Sequence, residues 1–198
     1  MKRDYKQVYQ FKIMLLDTTP VIWRRIQVPD SYTFWDLHVA IQDSMGWLDY
    51  HLHEFEVLDP STRDPVSIGL PDADYEEILD CRKQRLSDFF SVDNRKAVYT
   101  YDFGDNWIHD VLLEEILPRD PSIKYPTCIG GERACPPEDV GGVMGYDELV
   151  KAMKDKKHPD REDFLDWLGR EYDPEEFDFR KVSFDDPDER LKNTEGDF

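Results

Sequence analysis

Residues 33–46, Thr-Phe-Trp-Asp-Leu-His-Val-Ala-Ile-Gln-Asp-Ser-Met-Gly, predict the helix around which the fold is built. Thr33 can cap its first turn, and Asp36 follows three residues later, which is the spacing of a capping box. The glycine at position 46 is typical of the residue that ends a helix. Apolar side chains recur at intervals of three and four, as one buried helical face requires: Phe34, Leu37, Ile41 and Met45. We therefore predict a helix over residues 34–45.

Strand patterns lie on both sides of this helix. Residues 5–16 alternate between apolar and polar side chains, and residues 21–28 are rich in strand-forming residues, so the two predict an antiparallel hairpin. Further strands are expected at 53–58, 65–69, 97–103 and 107–116, and a single helical turn at 86–90. Helical periodicity follows over 146–153, over 159–169 and briefly after Asp173. The segment 118–145 is rich in proline and glycine and predicts no regular element.

Strands followed by helices are typical of an α+β fold. We predict a mixed, mostly antiparallel sheet with one packed central helix and a C-terminal helical layer. One domain is expected to span residues 1–184, with 146–184 as its helical C-terminal part. Residues 185–198 are mostly polar and are expected to form a loose tail.

The chain is strongly acidic, with 44 Asp and Glu against 25 Lys and Arg in 198 residues and a net charge of −19. Such a surface repels phosphate backbones, which disfavours direct nucleic-acid binding and favours a protein partner or a cation. The three cysteines do not form a disulfide framework. The sequence shows neither a signal peptide nor an apolar run of membrane-spanning length, so we expect a cytoplasmic protein without membrane association.

The first candidate site follows the central helix. In the segment 46–53, His51 and His53 lie two residues apart, so an extended backbone would point both imidazoles to one side, where they could bind a metal. Trp47, in the same segment, is a candidate binding residue. Alternatively, both histidines are polar positions of a half-buried strand.

The second candidate site is the segment 101–109. Asp102 and Asp105 flank a glycine turn, and Trp107 and His109 follow. Carboxylates beside an imidazole suit a transition metal or general acid–base chemistry. Asp and Asn also occur in such turns for backbone reasons alone, which is the alternative interpretation.

The third candidate site is the segment 128–142. Six residues separate Cys128 from Cys135, which is too many for the close cysteine pair of a zinc site and excludes a Cys-x-x-Cys redox motif. Ordered loops of this length often bind ligands or catalyse reactions, although this one could also be purely architectural. Its candidate binding residues are charged: Glu132, Arg133, Glu138 and Asp139.

These motifs occur together in the order of a known family. They are Pro-Val-Ile-Trp-Arg-Arg-Ile-Gln-Val-Pro at 20–29, Thr-Phe-x-Asp-Leu-His at 33–38, Met-Gly-Trp at 45–47, His-Leu-His-x-Phe at 51–55, Tyr-Asp-Phe-Gly-Asp-x-Trp-x-His at 101–109, and Gly-Glu-Arg-Ala-Cys-Pro-Pro-Glu-Asp-Val-Gly-Gly at 131–142. Over about residues 5–180 the chain resembles the plasmid pRiA4b ORF-3-like protein family. The resemblance implies a bacterial or archaeal protein, often found near plasmids or mobile elements, and it implies no established activity.

We hypothesise a non-catalytic binding or regulatory domain with a protein partner, whose recognition surface the 118–145 loop and the 101–109 hairpin form. The sequence contains no nucleophile elbow, Walker A motif or dinucleotide fingerprint. One alternative is a hydrolase-like enzyme that uses a divalent metal, with Glu138 or Asp139 as general base; its further residues would be His51, His53, Asp102, Asp105 and His109. Another alternative is an acidic mimic of nucleic acid.

Overall fold

The computed structural model describes residues 5–71 and 78–194. Within these ranges the chain forms one eight-stranded sheet in the order β5-β4-β3-β6-β7-β1-β2-β8. The strands are β1 (Gln7–Leu15), β2 (Ile22–Pro29), β3 (His53–Leu58), β4 (Pro65–Gly69), β5 (Leu79–Asp80), β6 (Lys96–Tyr101), β7 (Trp107–Pro118) and β8 (Thr127–Glu132). The helices are α1 (Phe34–Met45), α2 (Leu86–Phe89), α3 (Gly142–Lys154), α4 (Arg161–Leu168) and α5 (Pro187–Thr194), with a 3₁₀ turn at Phe179–Lys181.

Neighbouring strands are antiparallel except β4 and β5, which run parallel. The predicted α+β class and mixed, mostly antiparallel sheet are therefore confirmed. The first hairpin pairs β1 with β2 as expected, and β1 lies between β2 and β7. Its alternation follows the prediction, because Phe11, Ile13 and Leu15 are fully buried.

The central helix forms as its sequence requires. The Asp36 N–H donates to Thr33 Oγ1 at 3.3 Å, and the Thr33 N–H donates to Asp36 Oδ2 at 2.8 Å, which completes the capping box. Gly46 ends the helix with φ +92°, a conformation in which a side chain is strained. At the start of the helix the Phe34 ring packs edge-on against Phe55 of β3, with centroids 5.2 Å apart.

Two predicted boundaries are wrong within the proline- and glycine-rich segment. Residues 127–132 form β8, although 118–145 showed no strand pattern. A Cβ on Gly131 would collide with the Phe177 ring and lie 2.8 Å from the carbonyl oxygen of Trp23. Close packing therefore requires a glycine at this position, and because glycine is atypical of strand interiors, the sequence pattern does not indicate the strand. Helix α3 also begins at Gly142, four residues before the predicted start.

The C-terminal region differs from the prediction in two further places. The short helix expected after Asp173 is wrong, since the chain turns there and forms only the 3₁₀ turn at Phe179–Lys181. Where we expected a loose tail, α5 lies against α1: Arg190 binds the carboxylate of Asp43 at 2.7 Å, and the Trp35 Nε1–H donates to the carbonyl of Pro187 at 3.0 Å. Because these contacts are polar, the sequence of this segment does not show the apolar periodicity by which a packed helix is predicted. Residues 195–198 of that predicted tail lie outside the described residues.

Among the described residues, no helix combines the length and the apolar character that crossing a bilayer requires.

Candidate functional site

Three loops meet at one end of the central strands. They comprise residues 46–52 between α1 and β3, residues 102–106 between β6 and β7, and residues 133–141 between β8 and α3. Hydrogen bonds join each loop to another. The Asp102 N–H donates to the Leu52 carbonyl at 3.0 Å, the Gly141 N–H to Asp105 Oδ2 at 3.1 Å, and the Leu48 N–H to Glu138 Oε1 at 2.8 Å. We call the surface that they form with Met144, in the first turn of α3, the three-loop face.

The backbone of these loops depends on Asp and Asn in the left-handed region. Asp49, Asp102, Asn106 and Asp139 have φ between +56° and +62°, a conformation that these residue types tolerate better than most. Asp102 also folds its own turn, because its Oδ1 accepts the Gly104 N–H at 2.8 Å. The turn chemistry anticipated from the sequence is therefore present, and it fixes the direction of the Asp102 carboxylate.

One side chain from each loop enters a compact cluster. His51 Nε2 lies 3.0 Å from Asp139 Oδ1 and 3.6 Å from Asp102 Oδ2. All three ligand-type atoms lie within 4.8 Å of one another. The Asp102 side chain is nearly buried, at 10% exposure, whereas that of Asp139 is 66% exposed. The cluster is therefore closed to solvent on the side of Asp102 and open to solvent on the side of Asp139.

Glu138 forms a second polar centre beside this cluster. Its Oε1 accepts hydrogen bonds from the Leu48 N–H at 2.8 Å and from the Tyr101 hydroxyl at 3.0 Å, and the Tyr50 N–H donates to the same hydroxyl at 3.0 Å. Burial raises the pKa of the Glu138 carboxyl, although the hydrogen bonds oppose the shift. Burial, reinforced by the Glu138 charge, also raises the pKa of Tyr101. Glu138 therefore links the loop after β8 to the loop before β3.

Large apolar side chains that are exposed to solvent surround these polar groups. Their exposure ranges from 45% to 82%, which is unusual for side chains of this size gathered at one end of a sheet. They are Leu48, Tyr50 and Leu52 from the first loop, Phe103 from the second, and Met144 from α3.

Four of the residues singled out from the sequence lie in the core instead. Trp47 and Trp107 are buried, and the Trp47 Nε1–H donates to the carbonyl of Pro136 at 2.9 Å. His53 stacks on His38 beneath α1, and His109 Nδ1 donates to the Tyr99 carbonyl at 3.2 Å. Trp47 and Trp107 thus support the three-loop face from below and do not form part of its surface.

The predicted histidine triad does not assemble. Residues 49–52 lie outside the strand that begins at His53, so His51 reaches Asp139 while His53 is buried against His38. Burial, followed by the neighbouring His38, lowers the pKa of His53, and burial lowers the pKa of His109 to about 4. Both imidazoles are therefore neutral core groups at physiological pH. Only His51 joins carboxylates that the sequence had singled out.

The remaining candidate residues from the 128–142 segment are also not part of the cluster that His51 forms with Asp102 and Asp139. Glu132 is exposed at the end of β8, and Arg133 is buried and binds Glu175 through Nη1. Cys128 and Cys135 are free thiols, and burial raises the pKa of each. Neither cysteine is part of the metal-ligand cluster found among the described residues.

An acidic groove adjoins the three-loop face at Asp139. It has a volume of about 360 Å³ and lies between α3 and α4. Carboxylates and aromatic rings line most of it: Asp139, Val140, Glu148, Asp160, Asp163, Phe164 and Trp167. The Trp167 side chain is half exposed.

Sequence comparison decides the family. The profile of the plasmid pRiA4b ORF-3-like protein family matches residues 7–181. The chain belongs to this family. It is 33% identical over 179 residues to the uncharacterized protein y4hQ of Sinorhizobium fredii, and the match covers 89% of each chain. The fold is also similar to the crystal structure of a protein of unknown function, MM3350 from Methanosarcina mazei Go1, with a TM-score of 0.86 and 50% sequence identity. This match covers 91% of this chain and 100% of the MM3350 chain.

Sequence reasoning in this member of the plasmid pRiA4b ORF-3-like family missed the apolar part of the face. A phenylalanine inside the turn Asp-Phe-Gly-Asp at 102–105 was one available signal, since turns of this kind favour small or polar residues. Alternating apolar residues at 48, 50 and 52 were another, because they precede the strand that should have buried them. The acidic groove left no comparable signal, as its residues are spread over 139–167.

Proposed function

We propose that this protein is a non-catalytic binding domain that recognises a protein partner through the three-loop face. The observation that carries this function is the set of exposed apolar side chains around His51, Asp102 and Asp139. Exposed apolar side chains rimmed or interrupted by polar groups mark protein interaction sites. Aromatic residues and Met are also enriched in such interfaces. The hydrogen bonds between the loops support the proposal, since they hold the face in one shape before a partner arrives.

Charge indicates the chemistry of the partner. Among the described residues, the only ion pairs of Asp102 and Asp139 are with His51, and the adjoining groove adds Asp160 and Asp163. A partner segment with Lys or Arg beside apolar residues would complement this surface. The exposed Trp167 ring could accept such a cation over its face. A nucleic-acid backbone would be repelled by the same carboxylates.

The hydrolase alternative has less support from the geometry. It required His53 and His109 beside Asp102 and Asp105, and both imidazoles lie in the core.

For the compartment we propose the cytoplasm, which the three free cysteines support. Localisation of the full chain by fractionation of the native host would test this, and an extracytoplasmic result would contradict it.

Site-specific photo-cross-linking in the native host tests the binding function. A photoreactive phenylalanine analogue replaces Tyr50 in one strain and Phe103 in another. We expect both strains to give an adduct of the same mass with one partner protein, because both side chains lie on the face. The matched control is the analogue at Val92, which is 62% exposed but lies at the opposite end of β6.

Three outcomes would count against the proposal. The strains with the analogue at Tyr50 or Phe103 could give no adduct, or the same adducts as the strain with it at Val92. An adduct of twice the chain mass would instead assign the face to self-association.

Addition of Tyr50→Ser to the strain with the analogue at Phe103 should reduce the yield of the adduct, since it removes apolar contact area from the same interface.

A further inference from the structure

We infer that His51, Asp102 and Asp139 bind one divalent transition-metal ion. This site lies within the three-loop face, but metal binding does not require the proposed protein binding and is tested separately from it. The His51 Nε2 atom lies 3.0 Å from Asp139 Oδ1 and 3.6 Å from Asp102 Oδ2. Around a tetrahedral zinc ion with bonds of 2.0–2.2 Å, neighbouring ligand atoms lie roughly 3.4 Å apart. Small side-chain movements would therefore admit the ion.

The Asp102 carboxylate presents one oxygen to the cluster. Its side chain is nine-tenths buried, and its Oδ1 accepts the Gly104 N–H at 2.8 Å. Among the described residues its Oδ2 has no hydrogen-bond donor, since His51 Nε2 lies at 3.6 Å, beyond hydrogen-bond distance. That oxygen is not fully enclosed by protein, so it is available to a cation that reaches the cluster from solvent. A cation at the centre of the cluster would satisfy it, and the Gly104 bond would then orient the ligand from outside.

The local charge balance supports the same conclusion. Asp105 and Glu138 lie on the same loops as Asp102 and Asp139, so four carboxylates share this region. In residues 5–71 and 78–194, their only ion pairs are those of His51 with Asp102 and Asp139. A simple pair between His51 and Asp139 would leave the charge of Asp102 without compensation. A divalent ion compensates both aspartates of the cluster.

The ligand types favour zinc and its neighbours over magnesium or calcium. Magnesium and calcium take ligand sets made almost entirely of oxygen, whereas an imidazole nitrogen beside carboxylates suits zinc, cobalt, nickel or manganese. Three protein ligands would leave a fourth position for water. That position faces the solvent-exposed side of the cluster, where Asp139 is 66% exposed. Binding would also clamp the three loops, since each contributes one ligand.

The test is a zinc titration of the full chain, purified without a histidine tag and followed by calorimetry. We expect one ion per chain. His51→Ala and Asp139→Asn should each weaken binding by at least about 100-fold, the upper end of the loss when only an outer-shell partner is removed. Titration with cobalt should give the visible absorption bands of a tetrahedral nitrogen–oxygen site, which a non-specific acidic surface would not produce.

The matched controls are His158→Ala and Asp160→Asn, which alter another histidine and aspartate on the surface, 3.9 Å apart. Both should bind zinc like the wild type. Thermal unfolding of each variant without metal shows whether it is folded. The inference is overturned if the wild type binds neither zinc nor cobalt at millimolar concentration, if the cluster variants bind normally, or if His158→Ala abolishes binding. Repeating the cross-linking with a chelator separates the two proposals, because adducts that persist would leave protein binding intact without the metal.

Discussion

The imidazole of His53 lies flat against that of His38, with ring centroids 3.5 Å apart and planes 9° apart. The ring of His53 is buried, and its Nε2 has no hydrogen-bond partner among the described residues. His38 uses both nitrogens, toward the Tyr99 hydroxyl at 2.9 Å and Asp49 Oδ1 at 2.8 Å. Protonation of His53 would place a charge in the core against a second imidazole, so this pair makes the fold sensitive to acid.

We predict that acid destabilises the protein between about pH 6.5 and pH 4. Burial lowers the pKa of His53 well below its usual value and that of His109 to about 4. The unfolded chain takes up these protons near pH 6.5 while the folded chain does not, so the free energy of unfolding falls as the pH drops through this window. For His109 alone the loss approaches about 3 kcal/mol at its lower end. Urea unfolding at pH 7 and pH 4.5 measures it.

The control for this prediction is His109→Gln, which cannot be protonated. Its free energy of unfolding should be lower at pH 7 than that of the wild type, yet it should fall less between pH 7 and pH 4.5. The raised pKa of Glu138 acts in the opposite direction, because its protonation in the folded state stabilises the fold as the pH falls. Equal losses in both proteins would show that His109 does not contribute to acid sensitivity.

We predict that Glu138→Ala destabilises the protein and that Glu138→Gln does not. Alanine removes the acceptor of the Leu48 N–H and the Tyr101 hydroxyl, which costs roughly 1–3 kcal/mol where the donors are poorly solvated. Glutamine keeps one acceptor oxygen and removes a charge that burial disfavours. Chemical unfolding at pH 7 measures both. Glu132→Ala, at an exposed site on the same segment, should behave like the wild type; equal losses in all three variants would contradict the prediction.

The sequence predicted local structure where local chemistry decides it. The capping box of Thr33 and Asp36 and the terminal glycine at 46 define α1 without reference to the rest of the chain. The site depended on less local facts. His51 precedes the first residue of β3 and reaches Asp139, whereas His53 begins β3 and is buried against His38, and β8 exists because β2 offers it an edge. The partnership of His51 with Asp139 spans 88 residues, and no local pattern specifies it.

We predict that Gly142→Ala destabilises the protein more than Gly169→Ala does. Both glycines have positive φ, +66° and +64°, so alanine is strained at each by about 1 kcal/mol. At Gly142 a Cβ would also lie 2.7 Å from the carbonyl oxygen of Asp105, whereas at Gly169 nothing lies within 4 Å. The extra loss at Gly142, on the order of 1–3 kcal/mol, measures how tightly α3 packs on the 102–106 turn. Thermal unfolding of the two variants gives the difference, and equal losses would mean that this turn yields freely.

We predict that Arg190→Ala releases α5 from α1. Arg190 binds Asp43 and Asp185 at 2.7 Å each, and the Asp43 side chain is only 7% exposed. Removing the arginine leaves a nearly buried carboxylate that keeps, within the described part of the chain, one hydrogen bond from the Asp185 N–H, at a cost of roughly 2 kcal/mol for a partly solvated pair. Hydrogen exchange of residues 187–194 should accelerate markedly, while exchange in β1 and β7 stays slow. Arg180→Ala removes a similar pair at a more exposed site, with Asp178 at 2.8 Å and the Arg180 side chain 76% exposed, and should change neither exchange nor stability. Unchanged exchange in Arg190→Ala would show that the Trp35 hydrogen bond to Pro187 holds the helix by itself.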